Sequence, residues 1–186
     1  LTSQLRHYRF TNQIEKAIAV GERATQLYPH NRVFAKNLVA VYKRGGEFER
    51  AIETHDKLLA SGSEDVYSLA DRAFCQYQLG RMDDSREALS RARALLKEDK
   101  KFARWKAVID GFRRLNDLET VIDLRREMLN VFRAEYGNDK QVTLNAQYQL
   151  AEALTERDPD EAIELYEQAF RISHQINGED HQFTIN

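Results

Sequence analysis

The sequence predicts an all-α chain of stacked helix pairs, and three observations carry that expectation. Glycine and proline together supply ten of the 186 residues, too few for the closely spaced turns of a sandwich or barrel. Small and apolar residues recur at a spacing of 34, the mark of an array built on one supersecondary unit. Helix start and stop signals keep step with that period.

Composition bounds the function classes. With 42% hydrophobic and 31% charged residues, the chain has enough apolar side chains for a core and is not a disordered segment. Its 28 basic and 30 acidic residues, net −2, exert no global attraction on nucleic acid or membrane. The longest apolar stretch, Leu38 to Tyr42, is five residues, which excludes a transmembrane span or a secretory segment. Cys75 is the single cysteine, so there is no internal disulfide framework; a reducing, cytoplasmic setting is expected. The chain opens on Leu1 and is expected to be a fragment of a longer protein.

The elements follow in order. Ala17, Ala51 and Ser85 are spaced by 34, as are Ala24, Leu58 and Ala92, and Leu5, Val39 and Ala73. Tyr8 and Tyr42 share the spacing, and Gln76 breaks their series. Facing Ala and Ser residues let helix backbones approach, while Leu, Tyr and Phe at helical spacing fill the gaps. In the first unit, Asn12 followed by Glu15 reads as a capping box that opens a second helix. Asn31, after Pro29, reads as the cap of the second unit's first helix. Gly45-Gly46 and Gly80 stand where the second and third units reverse. Trp105, Ile109, Phe112 and Leu115 fit the first helix of a fourth unit. Leu150, Ala151 and Leu154, followed by Ala162, Tyr166 and Ala169, fit a fifth. Asp158-Pro159-Asp160-Glu161 is the clearest helix start in the chain: a cap, a proline at the first helical position, and two acids at the positive dipole end.

These residues resemble the tetratricopeptide repeat. The resemblance implies a right-handed superhelical solenoid of antiparallel helix pairs over 1–186, with units at approximately 1–30, 31–64, 65–100, 101–137 and 138–177 and a sixth beginning at 178–186. Arg72 stands where the family usually has Leu. Gly137-Asn138-Asp139-Lys140-Gln141-Val142-Thr143-Leu144 recurs 41 residues later as Gly178-Glu179-Asp180-His181-Gln182-Phe183-Thr184-Ile185. This resembles the longer repeat of kinesin light chains, although both copies lack its proline. An exposed apolar edge capable of self-association is expected at the C-terminal end.

Catalytic patterns are absent: there is no phosphate loop, paired-histidine zinc motif, Cys-x-x-Cys or nucleophile elbow. No catalytic residue, cofactor or metal is expected. His174 and His181 with Asp180 read as a polar loop and helix end and fall short of a zinc ligand set. Cys75 and Trp105 read as core, and the acids between Glu152 and Glu167 as caps and solvated faces.

The remaining candidate is a surface. The resemblance implies that the first helix of each pair lines a concave groove. Transferred to this sequence, that groove holds Arg6 and Arg9 from unit one; Lys36, Asn37, Lys43 and Arg44 from unit two; Tyr67, Phe74 and Tyr77 from unit three; and Lys106, Arg113 and Arg114 from unit four. Asp71 and Asp110 lie among them, and unit five turns acidic at Glu152 and Glu156. The expected groove is basic on both sides of an aromatic floor and suits an acidic segment with aromatic anchors. The two-carboxylate clamp for chaperone tails is not matched: only Asn37 fits, with Thr2, Arg6, Tyr67 and Asp71 at the other places. The leading expectation is a protein–protein interaction module that binds a partner or peptide. A regulatory or substrate-docking arm of a larger enzyme is the alternative. Residues 91–114 hold nine Lys or Arg against three acids and raise single-stranded nucleic-acid binding as a weaker reading, against which the balanced total charge argues.

Overall fold

A computed structural model of the chain describes residues 1–60, 62, 64–97 and 99–177. The expected sixth unit at 178–186, with the second copy of the glycine-led motif and His181, lies outside the described residues. Ten α-helices are described: α1 (Thr2–Phe10), α2 (Ile14–Leu27), α3 (Arg32–Gly45), α4 (Phe48–Ala60), α5 (Val66–Gln78), α6 (Met82–Ala94), α7 (Phe102–Arg114), α8 (Leu118–Tyr136), α9 (Gln141–Leu154) and α10 (Pro159–Asn177). There is no strand among the described residues, and no described helix is long and apolar enough to cross a membrane. The chain separates into two compact units, Leu1–Leu95 and Leu96–Asn186. Within each, every helix packs on its neighbour in the chain, which is the α-α solenoid arrangement expected.

In the first unit the seam between helices is made of the residues that repeat in the sequence. Ala17, Ala24, Ala51, Ser85 and Ala92 are all buried, as are Leu5, Val39 and Ala73. Small side chains there bring the backbones close, and the Ser85 hydroxyl is satisfied by donating to the Ala73 carbonyl at 2.9 Å. At Gly21 the approach is closer still, since a Cβ would stand 2.8 Å from Leu38 Cδ1. Leu38, Val39, Tyr42, Ile52 and Cys75 fill the layer between α3, α4 and α5, with Phe48 and Phe74 packed against it. Each fully buried aliphatic chain contributes roughly 1.5–3 kcal/mol, so the layers outweigh the weak propensity of short helices. Arg72, at the place of a family leucine, is half-buried and pairs with Asp56 of α4 at 3.0 Å.

The second unit is built on larger side chains. Trp105, Val108, Ile109 and Phe112 of α7 and Leu124, Met128, Leu129 and Phe132 of α8 are buried. Trp105 is core as expected, its indole N–H donating to the Asp99 carbonyl at 2.6 Å. Leu150, Ala151 and Leu154 on α9 and Ala162 and Ala169 on α10 are buried too. Gln147, also buried, donates to the Leu165 carbonyl at 2.8 Å.

Asn31 accepts from the N–H groups of Val33 and Phe34 and caps α3, and Asp158 accepts from Glu161 N at 3.1 Å to cap α10. Asn12 departs from the expected capping box. Gln13 occupies the N-cap of α2 with no side-chain cap bond, and Asn12 adopts a left-handed backbone with φ +57°. Gly46 and Gly80 do the same at φ +77° and +74°, and Asn116 at +56°. Asn12, Gly46 and Gly80 are spaced by the 34-residue repeat. In each turn the next N–H closes back on the preceding helix: Gln13 to the Tyr8 carbonyl, Glu47 to Tyr42 and Arg81 to Gln76, all at 2.9 Å, and Asp117 to Phe112 at 3.1 Å. The reversals α1–α2, α3–α4, α5–α6 and α7–α8 therefore each use one left-handed residue, which asparagine tolerates and glycine adopts without steric cost.

His55 of α4 is 2% exposed, and neither ring nitrogen has a hydrogen-bond partner. Burial lowers its pKa to about 4; nearby Asp71 and Asp56 oppose the shift, while Lys43 and Arg72 deepen it. Cys75 beneath the same layer is held as a thiol, its pKa raised to about 11 mainly by burial.

Two outcomes are expected. Nothing stands within 4 Å of a Cβ added at Gly46 or Gly80, so Gly46→Ala and Gly80→Ala should each cost about 1 kcal/mol through backbone strain alone. Asn12→Gly should be neutral or stabilising in the same urea-unfolding measurement, and equal losses at all three positions would contradict the turn account. For His55, the unfolded imidazole titrates near 6.5 and the folded one near 4, so the unfolded state binds more protons between those values. Stability should be complete above pH 6.5 and fall as pH drops toward 4, with a slope approaching about 1.4 kcal/mol per pH unit. His55→Leu should flatten the profile in that window; an unchanged profile would show that another group titrates.

Candidate functional site

The first helices of unit one bring many of the sequence-derived surface residues together. Arg9 of α1 donates to Asn37 Oδ1 of α3 at 3.0 Å, and the Asn37 amide donates in turn to the Val33 carbonyl at 2.9 Å. Lys36 of α3 reaches Asp65, the N-cap of α5, at 2.7 Å. Lys43 pairs with Asp71 of α5 and lies over the Phe74 ring, 5.1 Å from its centroid. The side chains of α1, α3 and α5 thus meet across one face.

On that face the basic residues expected of the groove are partly neutralised by the aspartates among them. Lys36 and Lys43 each have an aspartate of this same chain as partner. Burial alone would raise the Asp65 carboxyl, but the bonds from Lys36 and Ser68 outweigh it and hold the group below its usual range. Phe74 is half-buried, edge-on to Phe48 at 6.1 Å between centroids, so it is as much core as floor. Tyr67 is exposed and Tyr77 half-buried.

Cations without a carboxylate are found at the α1 end. Arg6, Arg9 and Arg44 border a cavity of about 280 Å³ together with Leu5, Phe10 and Asn37. Arg6 lies over the Phe10 ring at 5.8 Å. No described carboxylate is within ion-pair distance of these three arginines. Phe10, 78% exposed, was not among the residues singled out from sequence; its signal was an aromatic at the end of a helix already carrying two of the arginines.

Lys106 pairs with Asp110 at 2.7 Å and Arg113 approaches the same carboxylate at 3.8 Å; Arg114 is exposed. Arg125 of α8, only 3% exposed, reaches Glu152 of α9 at 3.4 Å, and its Nε has no partner. Burial depresses its pKa, Arg113 adds to that, and Glu152 and Asp110 oppose it. Sequence reasoning missed Arg125, which sits on a second helix. The basic strip at 91–114 is largely neutralised by its own chain: Arg91 pairs with Glu64, Lys100 with Glu135, Arg104 with Asp99.

A larger cleft of about 860 Å³, also missed from sequence, opens on the α2 and α4 side of unit one, with Glu22, His30, Tyr42, Arg50 and Lys57 among its walls. Tyr42 donates to Glu22 at 2.7 Å, Arg50 covers the Tyr42 ring at 4.6 Å and pairs with Glu22. Burial, then the bond to Glu22, raises the Tyr42 pKa. This cluster is internally satisfied. No three His, Cys, Asp or Glu side chains are grouped to hold a metal among the described residues.

Comparison with known proteins agrees with the helix-pair geometry. Residues 110–175, all in unit two, match the tetratricopeptide repeat family model. No curated protein sequence matches the chain. Among solved structures, the chain is similar to the nearly identical TPR-like repeats of a kinesin light chain candidate from Podosopora anserina, with 17% identity, 96% of this chain and 97% of that chain covered, and a TM-score of 0.68. MamA protein aligns at 14% identity over 97% of this chain and 93% of its own, with a TM-score of 0.64. YrrB, a TPR protein with an unusual peptide-binding site, aligns at 15% identity over 91% and 82%, with a TM-score of 0.55. At these identities the likeness is one of fold. By sequence, residues 110–175 thus match the tetratricopeptide repeat, and the helix pairs of the described chain are similar in fold to solved structures of such repeats.

Proposed function

We propose that the chain is a protein–protein interaction module whose first-helix face in unit one receives an acidic peptide segment with an aromatic anchor. The observation that carries this reading is the cluster of Arg6, Arg9 and Arg44, cations that the chain leaves without a carboxylate while pairing Lys36 and Lys43 on the same face. A partner's acidic side chains complete what the fold leaves open, and Tyr67, Phe74 and Tyr77 offer apolar surface beside them. The peptide-binding site named for YrrB supports the same use of this fold. Lys106, Arg113 and Arg114 form the corresponding surface of unit two in this reading, with a lower net charge because Asp110 sits among them.

A regulatory or substrate-docking arm of a larger enzyme is the alternative reading; two wider readings belong to the proposal itself: that 1–186 is one array of about five pairs plus the start of a sixth within a longer cytoplasmic protein, and that it self-associates through its C-terminal edge. Exposed Ile163 and Phe170 on α10 support the last. Nucleic-acid binding is disfavoured by the neutralised strip at 91–114.

The test uses immobilised twelve-residue peptides that combine Asp and Glu with Tyr or Trp, against the same peptides with Lys replacing the acids. The acidic set should be captured, and Arg9→Glu with Arg44→Glu should weaken capture about tenfold or more with the melting temperature nearly unchanged. Equal capture of both peptide sets would overturn the reading.

A further inference from the structure

We propose that the cavity between α1 and α3 is a phosphate pocket, built to take a phosphorylated side chain of the bound peptide. This inference rests on the reading of unit one as a peptide-binding face and narrows its ligand.

Three arginines, Arg6, Arg9 and Arg44, border about 280 Å³ of space. One guanidinium fork matches the two oxygens of a carboxylate, so a single carboxylate leaves the remaining donors unused. A phosphomonoester carries close to two negative charges and three acceptor oxygens, which accounts for three arginines converging on one small volume. The contrast within α3 sharpens the point. Lys36 and Lys43 are each neutralised by an aspartate of this chain, whereas Arg44, one residue on, has no described carboxylate in reach. Arg9 and Arg44 lie in the last turns of α1 and α3, where cations interact favourably with the helix dipole. That explains each alone, but not Arg6 in the middle of α1, nor their shared cavity.

The pocket is also oriented. Asn37 donates to the Val33 carbonyl at 2.9 Å and accepts from Arg9 at 3.0 Å, which fixes Arg9 as a positioned donor. Buried Leu5 and exposed Phe10 complete the lining, giving the carbon stem of a phosphorylated residue an apolar wall. A concave site of this size suits one side chain better than a bilayer surface, and the ion pairs of Lys36 and Lys43 next to it offer an anionic membrane little attraction.

The experiment titrates the whole 186-residue chain with phenyl phosphate and, separately, phenylacetate, following the arginine Nε–H resonances by NMR. Phenyl phosphate should bind about tenfold tighter, shift Arg6, Arg9 and Arg44, and lose that advantage in the Arg6→Gln, Arg44→Gln double variant while Lys36→Gln keeps it. Equal affinity for the two anions would overturn the phosphate assignment while leaving the acidic-peptide reading in place. Binding of neither, together with failed capture of the acidic peptides, would remove both. Arg44-dependent sedimentation with phosphatidylserine vesicles would also overturn the proposal, because the cations would then serve a membrane surface.

Discussion

Close approach of helix backbones is the constraint on which the other features depend. Where two helices of a pair meet at Ala17, Ala51 or Ser85, the absence of bulk lets the larger residues around them interdigitate. The same approach fixes the rotation of each helix about its own axis. With α2 and α4 held on one side, α1, α3 and α5 must turn a defined strip toward each other, and that strip carries Arg9, Asn37, Lys43, Asp71 and Phe74. The functional surface is therefore a by-product of the seam: substitutions that widen the seam rotate the surface with it. The left-handed turn residues serve the same end by setting where α2, α4, α6 and α8 begin.

Polar groups inside these layers are treated in two ways. Ser85, Gln147 and the Trp105 indole donate to backbone carbonyls, so their burial carries little net penalty. His55 and Arg125 are less completely satisfied. The imidazole responds by staying neutral. The guanidinium cannot, and leans on a long bond to a largely exposed Glu152, a costly arrangement for a buried charge.

Much of the fold was legible because it is written in residue size and spacing. The recurrence of small residues marked the seams, and the oxygen caps Asn31 and Asp158 marked helix starts, since one side chain and its next few N–H groups suffice for a cap. Asn12 shows where local pattern fails. Asparagine serves both as an N-cap and as a left-handed turn residue, and Asn12 with Glu15 satisfies the spacing of the first. Only its register with Gly46 and Gly80, 34 residues apart, reveals the second. The candidate surface was legible as charge but not as partnership. Which cation meets which acid depends on the rotation of neighbouring helices, so the pairing of Lys43 with Asp71 and the isolation of Arg44 emerge only in three dimensions. The contact of Phe74 with Phe48 was illegible for the same reason, because it comes from another helix.

The central claim is that packing of the pairs orients the first helices of unit one so that their side chains share one face. Solution NMR tests it most directly through the Lys43 ε-methylene protons, which lie near the face of Phe74 with the ammonium 5.1 Å from the ring centroid. The account predicts an upfield ring-current shift of those protons and nuclear Overhauser contacts from Lys43 to Phe74 and from Arg9 to Asn37. Lys43 protons at random-coil positions, with neither contact present, would contradict it.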